Sequence, residues 1–477
     1  MNHRTLHLLY LTVILLLPLY SNSTSGQTIS TEPEWRACHI KDIESRARCT
    51  TVAVPEDWQD PSGKHISLHV AVVPPSGGQA VKEPLYLLAG GPGQAATSLG
   101  RYVAVGLERA RRGREVVLVD QRGTGGSTPF GCRFETGMDV TIKGDQFARD
   151  CLAGTDNQSE HYHSDAFMQD LNAVRERLGH TRINLVGGSY GTRAALLYLR
   201  KYPSQVNALV LDAVAAPETA FFERFLVNAS RAIDNLMVDC AADEDCARAF
   251  PDLADKLAQT LASLERESVI LERPNELEVT PDVFLNAMRN ALYTPLNTAQ
   301  LPLVIDAAAN GDFGPWRAIA GSMNGAFTEM SVGTLLSVLC GEEIASTSAE
   351  AIAALSGDGV FSNVSMAFWF DACRVWPHRV ADTAYRDPVV SDVPALILSG
   401  ELDPVTPPAF GEVAASRLPN SRHLVAPHGG HTIGSYGCIP TLVADFLDSL
   451  DVNAIDEECL MRFARDPYTL SAYGPHP

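Results

Sequence analysis

Residues 183–203, INLVGGSYGTRAALLYLRKYP, read as a short apolar strand, a glycine-lined corner and an amphipathic helix. The corner holds Ser189, flanked by Gly187 and Gly191 in the pattern G-x-S-x-G. A sharp strand-to-helix turn leaves no room for a Cβ at the flanking positions and presents its middle residue, strained and exposed, as a nucleophile. The helix after the corner would aim free N–H groups and a positive dipole end at Ser189, where an oxyanion would develop. Arg200 and Lys201 suit its negative end, and Pro203 stops it.

Outward from this corner the strands have the texture of a parallel sheet. Residues 66–73, 85–89, 115–120, 183–186, 208–212, 395–398 and 423–425 are short apolar runs, several of them continuous, as expected of strands covered on both faces. Residues 165–178 alternate with them as a helix, and residues 441–450 form a closing one. Strand, helix, strand at this spacing predicts an α/β fold with a mostly parallel sheet, whose ligands bind at the carboxyl ends of the strands. Gly91, Asp120 and Ser189 all fall at such ends. Asp120 and Arg122 are expected to brace neighbouring loops through buried charge-assisted hydrogen bonds.

Residues 218–388 differ, with helical periodicity over 221–240, 252–267, 282–292 and 298–309 and few strong strands. The expected organisation is a signal peptide at 1–26, a first core part at 27–217, an inserted helical cap at 218–388 and a second core part at 389–477. A cap at the carboxyl edge of a sheet would sit over the site as a lid.

The 477 residues include 37 Lys and Arg against 57 Asp and Glu, a formal net charge of −20. That balance argues against nucleic acid or anionic lipid as a partner, because cationic patches supply that attraction. A protonated substrate amine would be welcomed. Residues 1–26 carry His3 and Arg4, then an apolar run at 6–20 too short to span a bilayer comfortably, then small polar residues. They predict an exported protein, secreted or periplasmic, with no stable membrane association after signal removal; a retained signal anchor is the alternative. Ten cysteines fit that compartment, and an even count in an exported chain favours disulfides. Pairing neighbours in sequence (38/49, 132/151, 240/246, 340/373, 438/459) would close short local loops, one of about 945 connectivities. Metal binding by the cysteines is the competing reading, and no C-x-x-C spacing is present.

A serine hydroxyl needs a neighbouring imidazole to take its proton, and the imidazole needs a carboxylate to fix its tautomer. Ser189, Asp403 and His431 occur in that chain order, the last two in loops just after predicted strands. Glu401 and His428 stand as alternative acid and base.

The segments AGGPGQAA, VDQRGTGGS, GGSYGTRAALLYLRKYP, LSGELDPVTP and GGHT resemble those of the proline iminopeptidase and tripeptidyl aminopeptidase family of α/β-hydrolases. The resemblance covers residues 50–217 and 389–460. It implies Ser189 as nucleophile, Asp403 as acid, His431 as base, the backbone N–H groups of Gly91 and Tyr190 as oxyanion donors, and no metal or organic cofactor. One departure is Ala89, where the family's glycine loop often begins with His. The resemblance further implies lid carboxylates that hold the substrate's free α-amine, with Glu342 and Glu343 in LCGEE as the candidates. The expected activity is release of N-terminal residues from peptides with a free N-terminus; an esterase or lactonase, or a binding protein without turnover, are the rivals. An apolar pocket with no carboxylate near Ser189 would favour the esterase.

Overall fold

The computed structural model describes residues 34–134, 143–272, 276–471 and 474. The expected signal peptide lies outside the described residues. Residues 33–477 form one compact unit.

A nine-stranded sheet runs through it. Its strands are β1 (Arg36–Cys38), β2 (Ala47–Pro55), β3 (His65–Val73), β4 (Leu85–Leu88), β5 (Val116–Val119), β6 (Ile183–Gly188) and β7 (Val206–Asp212). After a small hairpin of β8 (Val269–Leu271) and β9 (Leu277–Val279) come β10 (Ala395–Gly400) and β11 (Ser421–Ala426). The spatial order is β1-β2-β3-β5-β4-β6-β7-β10-β11. From β5 to β11 every pairing is parallel; β1, β2 and β3 join antiparallel at one edge.

The continuous apolar runs of β4, β5 and β7 are buried throughout, because helices cover both faces. One face packs on the helices Ser164–Arg177 and Tyr190–Lys201 through Phe167, Leu171, Ala194 and Leu197. The other packs on Ile439–Ser449 through Leu442 and Phe446. The strands β1, β2, β8 and β9 add to those expected from the sequence, β2 being the longest of them. Arg48 and the adjacent Thr50 and Thr51 interrupt its alternation, and its place is set instead by its long register with β3.

Between β7 and β10 the chain is mostly helical, including Phe225–Ala242, Leu253–Arg266, Pro281–Ala291, Leu301–Ala309 and Val332–Glu342. These helices share a separate apolar cluster that includes Phe284, Trp316 and Trp376. All five neighbouring cysteine pairs are disulfide-bonded: Cys38–Cys49, Cys132–Cys151, Cys240–Cys246, Cys340–Cys373 and Cys438–Cys459.

The loops at the strand ends are braced by buried charge. Asp120 accepts from Thr97 N at 2.9 Å, Thr97 Oγ1 at 3.0 Å and Gly126 N at 3.0 Å. Arg122 donates to both oxygens of Asp170 at 2.7 and 2.6 Å and to the carbonyls of Glu56 and His161. Charge-assisted bonds of this length, out of water, hold three loops against the sheet.

Candidate active site

Ser189 sits between β6 and the Tyr190–Lys201 helix at φ +55°, ψ −124°, a region that a side chain rarely adopts. Both flanking glycines are required by contact. A Cβ on Gly187 would stand 2.4 Å from Gly191 O, and one on Gly191 would stand 2.1 Å from Leu88 O. The strain is held by the sheet, since Ser189 N donates to Asp212 O of the neighbouring strand at 2.9 Å.

The candidate acid and base come from loops after β10 and β11. Asp403 is fully buried, and its Oδ1 accepts from Val405 N at 2.7 Å and Thr406 N at 2.9 Å. Its Oδ2 accepts from Thr406 Oγ1 at 2.8 Å and pairs with His431 Nδ1 at 2.8 Å. An ionised carboxylate only accepts, so Nδ1 carries the hydrogen and Nε2 keeps the basic lone pair. Burial alone would raise the Asp403 pKa, but the adjacent imidazole and these hydrogen bonds hold it below the usual carboxylate range. Burial pulls His431 down, and the Asp403 charge and hydrogen bond outweigh it, so His431 is raised above its ordinary 6.5.

The sequence alternatives meet each other instead. His428 N donates to Glu401 Oε2 at 2.9 Å, Glu401 is exposed, and neither residue lines the cavity that Ser189 and His431 share.

That cavity, of about 760 Å³, also takes in Gly91 and Tyr190. Gly91 has φ +108°, which suits glycine alone. Phe134, Phe221, Phe222, Phe225, Phe368 and Trp369 give it aromatic walls, Phe134 from the loop after β5 and the others from the segment between β7 and β10.

Glu342 and Glu343 require a correction. Neither lines the cavity, and both are buried. Glu342 accepts from Ser164 N and Ser164 Oγ, each at 2.7 Å, and from Tyr385 OH. Burial raises its pKa despite these bonds. Glu343 pairs with Arg193 of the helix after Ser189. They are ties between the Val332–Glu342 helix and the core, placed there because a buried Arg193 needs a counter-charge.

Four site residues escaped the sequence reading. Thr406 bridges the acid and the base through its hydroxyl, 2.8 Å from Asp403 Oδ2 and 3.4 Å from His431 Nδ1. Arg231 donates to Asp403 O. Tyr293 accepts from His431 N with its carbonyl at 2.8 Å and sets its ring edge-on to the imidazole. Asp212 accepts from Ile433 N at 2.9 Å and Gly434 N at 2.7 Å, pinning the loop that carries His431. Burial raises the pKa of Asp212 to about 6. Only Thr406 had a sequence signal, its place three residues after Asp403 in the same loop.

Among known proteins, the chain is 27% identical over 244 residues to serine protease Hip1 of Mycobacterium tuberculosis, covering 45% of this chain and 46% of that one. It is 26% identical over 207 residues to the tripeptidyl aminopeptidase of Streptomyces lividans, covering 39% and 38%. With the proline iminopeptidase of Lactobacillus delbrueckii subsp. lactis it shares 31% over 137 residues, covering 28% and 37%. The match thus spans less than half the length of each of these relatives. The alpha/beta hydrolase fold family matches residues 83–436, which hold the elbow, the buried acid, the histidine and the helices between them. The chain belongs to the α/β-hydrolase fold family.

Proposed function

We propose that this chain is an exported serine exopeptidase that releases N-terminal residues from short peptides through an acyl-enzyme. The observation that carries the reading is the Asp403–His431 hydrogen bond, in the tautomer that leaves Nε2 basic, beside the cavity that Ser189 lines. His431 Nε2 takes the Ser189 proton as Oγ attacks the carbonyl carbon, and the N–H groups of Gly91 and Tyr190 receive the oxyanion. His431 then protonates the leaving amine, and water reverses the sequence to free the acid. The names of the relatives, a serine protease and two aminopeptidases, support a peptide bond as the target. Residues 218–388 act as the lid over the two-part core of 27–217 and 389–477 and restrict entry to short chains. The leader at 1–26 and five disulfides support export.

One observation favours a second reading, an esterase on the same machinery. The cavity is strongly aromatic, and the only carboxylate among its described lining residues is Asp212, already bound to two backbone amides.

The test is hydrolysis of aminoacyl-, dipeptidyl- and tripeptidyl-arylamides, their N-acetylated forms and a short-chain aryl ester by wild type and Ser189→Ala. The exopeptidase reading expects cleavage of the free-amine arylamides that acetylation and Ser189→Ala both abolish. Turnover of the ester alone would replace it with the esterase.

A further inference from the structure

Five arginines are buried among the described residues, and four of them meet a carboxylate: Arg114 with Asp448, Arg122 with Asp170, Arg175 with Glu176 and Arg193 with Glu343. The fifth is Arg289, on the Pro281–Ala291 helix. It is 2% exposed, no carboxylate among the described residues lies within ion-pair distance of it, and it lines the cavity that holds Ser189. Its protein partners are neutral. Nη2 donates to Asn290 Oδ1 at 2.7 Å, Nη1 to the Tyr293 hydroxyl at a long 3.4 Å, and Nε has no acceptor among the described residues. The guanidinium lies 4.3 Å above the Phe225 ring, which offsets only part of the cost of burying a charge.

The cavity as a whole repeats the imbalance. In a chain of net charge −20, its described lining carries Arg101 and Arg289 against one acid, Asp212, that is already engaged. A low-dielectric pocket with an unpaired cation concentrates anions. The flank matters too. Tyr293, which Arg289 contacts, holds the His431 backbone and abuts its ring. Tyr293 thus links Arg289 to the imidazole that the proposed mechanism uses to protonate the leaving group.

We propose that Arg289 is an anion subsite that receives the free α-carboxylate of the leaving portion of a short peptide. This rests on the exopeptidase reading and deepens it, because a carboxylate bound inside the cavity sets the length of the substrate. A guanidinium–carboxylate pair in such a site favours the charged over the neutral terminus by roughly 10–100-fold.

The experiment compares free-carboxylate and C-terminally amidated alanine peptides of two to five residues, each with a free N-terminus. Turnover is measured with wild type, Arg289→Met and Arg289→Lys. Binding of the same peptides is measured by calorimetry with Ser189→Ala and Ser189→Ala/Arg289→Met, so the result does not depend on turnover. The expected result is a preference for the carboxylate at one length, lost in Arg289→Met and partly kept in Arg289→Lys. Equal affinity for carboxylate and amide, or a preference that survives Arg289→Met in a protein that unfolds at the wild-type midpoint, overturns the proposal. Carboxylate-selective binding without cleavage of any peptide would retain the subsite and remove the exopeptidase instead.

Discussion

Replacing Asp403 by Asn exchanges one oxygen for an NH₂ group, and the surrounding donors dictate which way the new amide faces. Oδ1 accepts two backbone N–H groups, from Val405 and Thr406, which cannot turn around. The amide oxygen of Asn must therefore occupy that position, and its NH₂ must face Thr406 Oγ1 and His431 Nδ1. A donor now meets Nδ1. The imidazole responds by moving its hydrogen to Nε2, so the nitrogen that should take the Ser189 proton no longer has a free lone pair. Inverting the tautomer in a serine triad costs about 10⁴ in kcat, roughly 5 kcal/mol of barrier. The pH profile moves as well. In the wild type Asp403 raises the His431 pKa, so the basic form fills only as pH rises above 6.5, and the acid limb of kcat/KM lies there. Without the Asp403 charge and hydrogen bond only the Asp212 charge still opposes the burial that lowers His431, so the limb of the residual activity moves to lower pH. The assay is aryl ester or arylamide hydrolysis from pH 5 to 9, beside an unfolding curve to show that the variant is folded. Activity within tenfold of wild type, with the acid limb unmoved, would refute the assignment of Asp403 as the partner of the catalytic base.

Two further outcomes test the frame around the site. Gly191→Ala puts a Cβ 2.1 Å from Leu88 O, so β4 must withdraw and carry Gly91 with it; kcat/KM should fall roughly 100-fold, and unchanged kinetics would show that the elbow does not need this close approach. Glu343→Gln leaves the buried Arg193 guanidinium without its counter-charge, which costs about 3–5 kcal/mol of stability. Chemical denaturation of this variant and of Arg193→Met/Glu343→Met checks it: the double variant should be the more stable, and the reverse order would show that the charges are not a closed pair.

Much of the fold was readable because its local rules are strong. Short continuous apolar runs such as LYLL and VVLV, bounded by turn residues, read as buried strands, and the glycines beside Ser189 mark a corner where a Cβ meets backbone. The cysteines paired with their sequence neighbours because short loops keep them close. The strand β2 was less legible, since its polar residues break the pattern: Arg48 and Thr51 are exposed while Thr50 is buried beside them. LCGEE shows the limit of a motif. Two adjacent acids look alike along a chain, and whether they face a substrate or an arginine depends on what packs across from them.

The sequence by itself determined most of the strands, the strained serine and the set of acids and bases that could serve it, because each follows from patterns within a few residues. The order of the strands in the sheet came from the fold. Only the tertiary structure decided that Asp403 rather than Glu401 meets His431, that Arg193 takes Glu343, that Asp212 pins the histidine loop, and that Arg289 lines the cavity with no carboxylate partner among the described residues. These are meetings of charges from segments far apart in the chain. Charge pairing is decided by distance and by exclusion of water, and neither exists until the chain has closed around them.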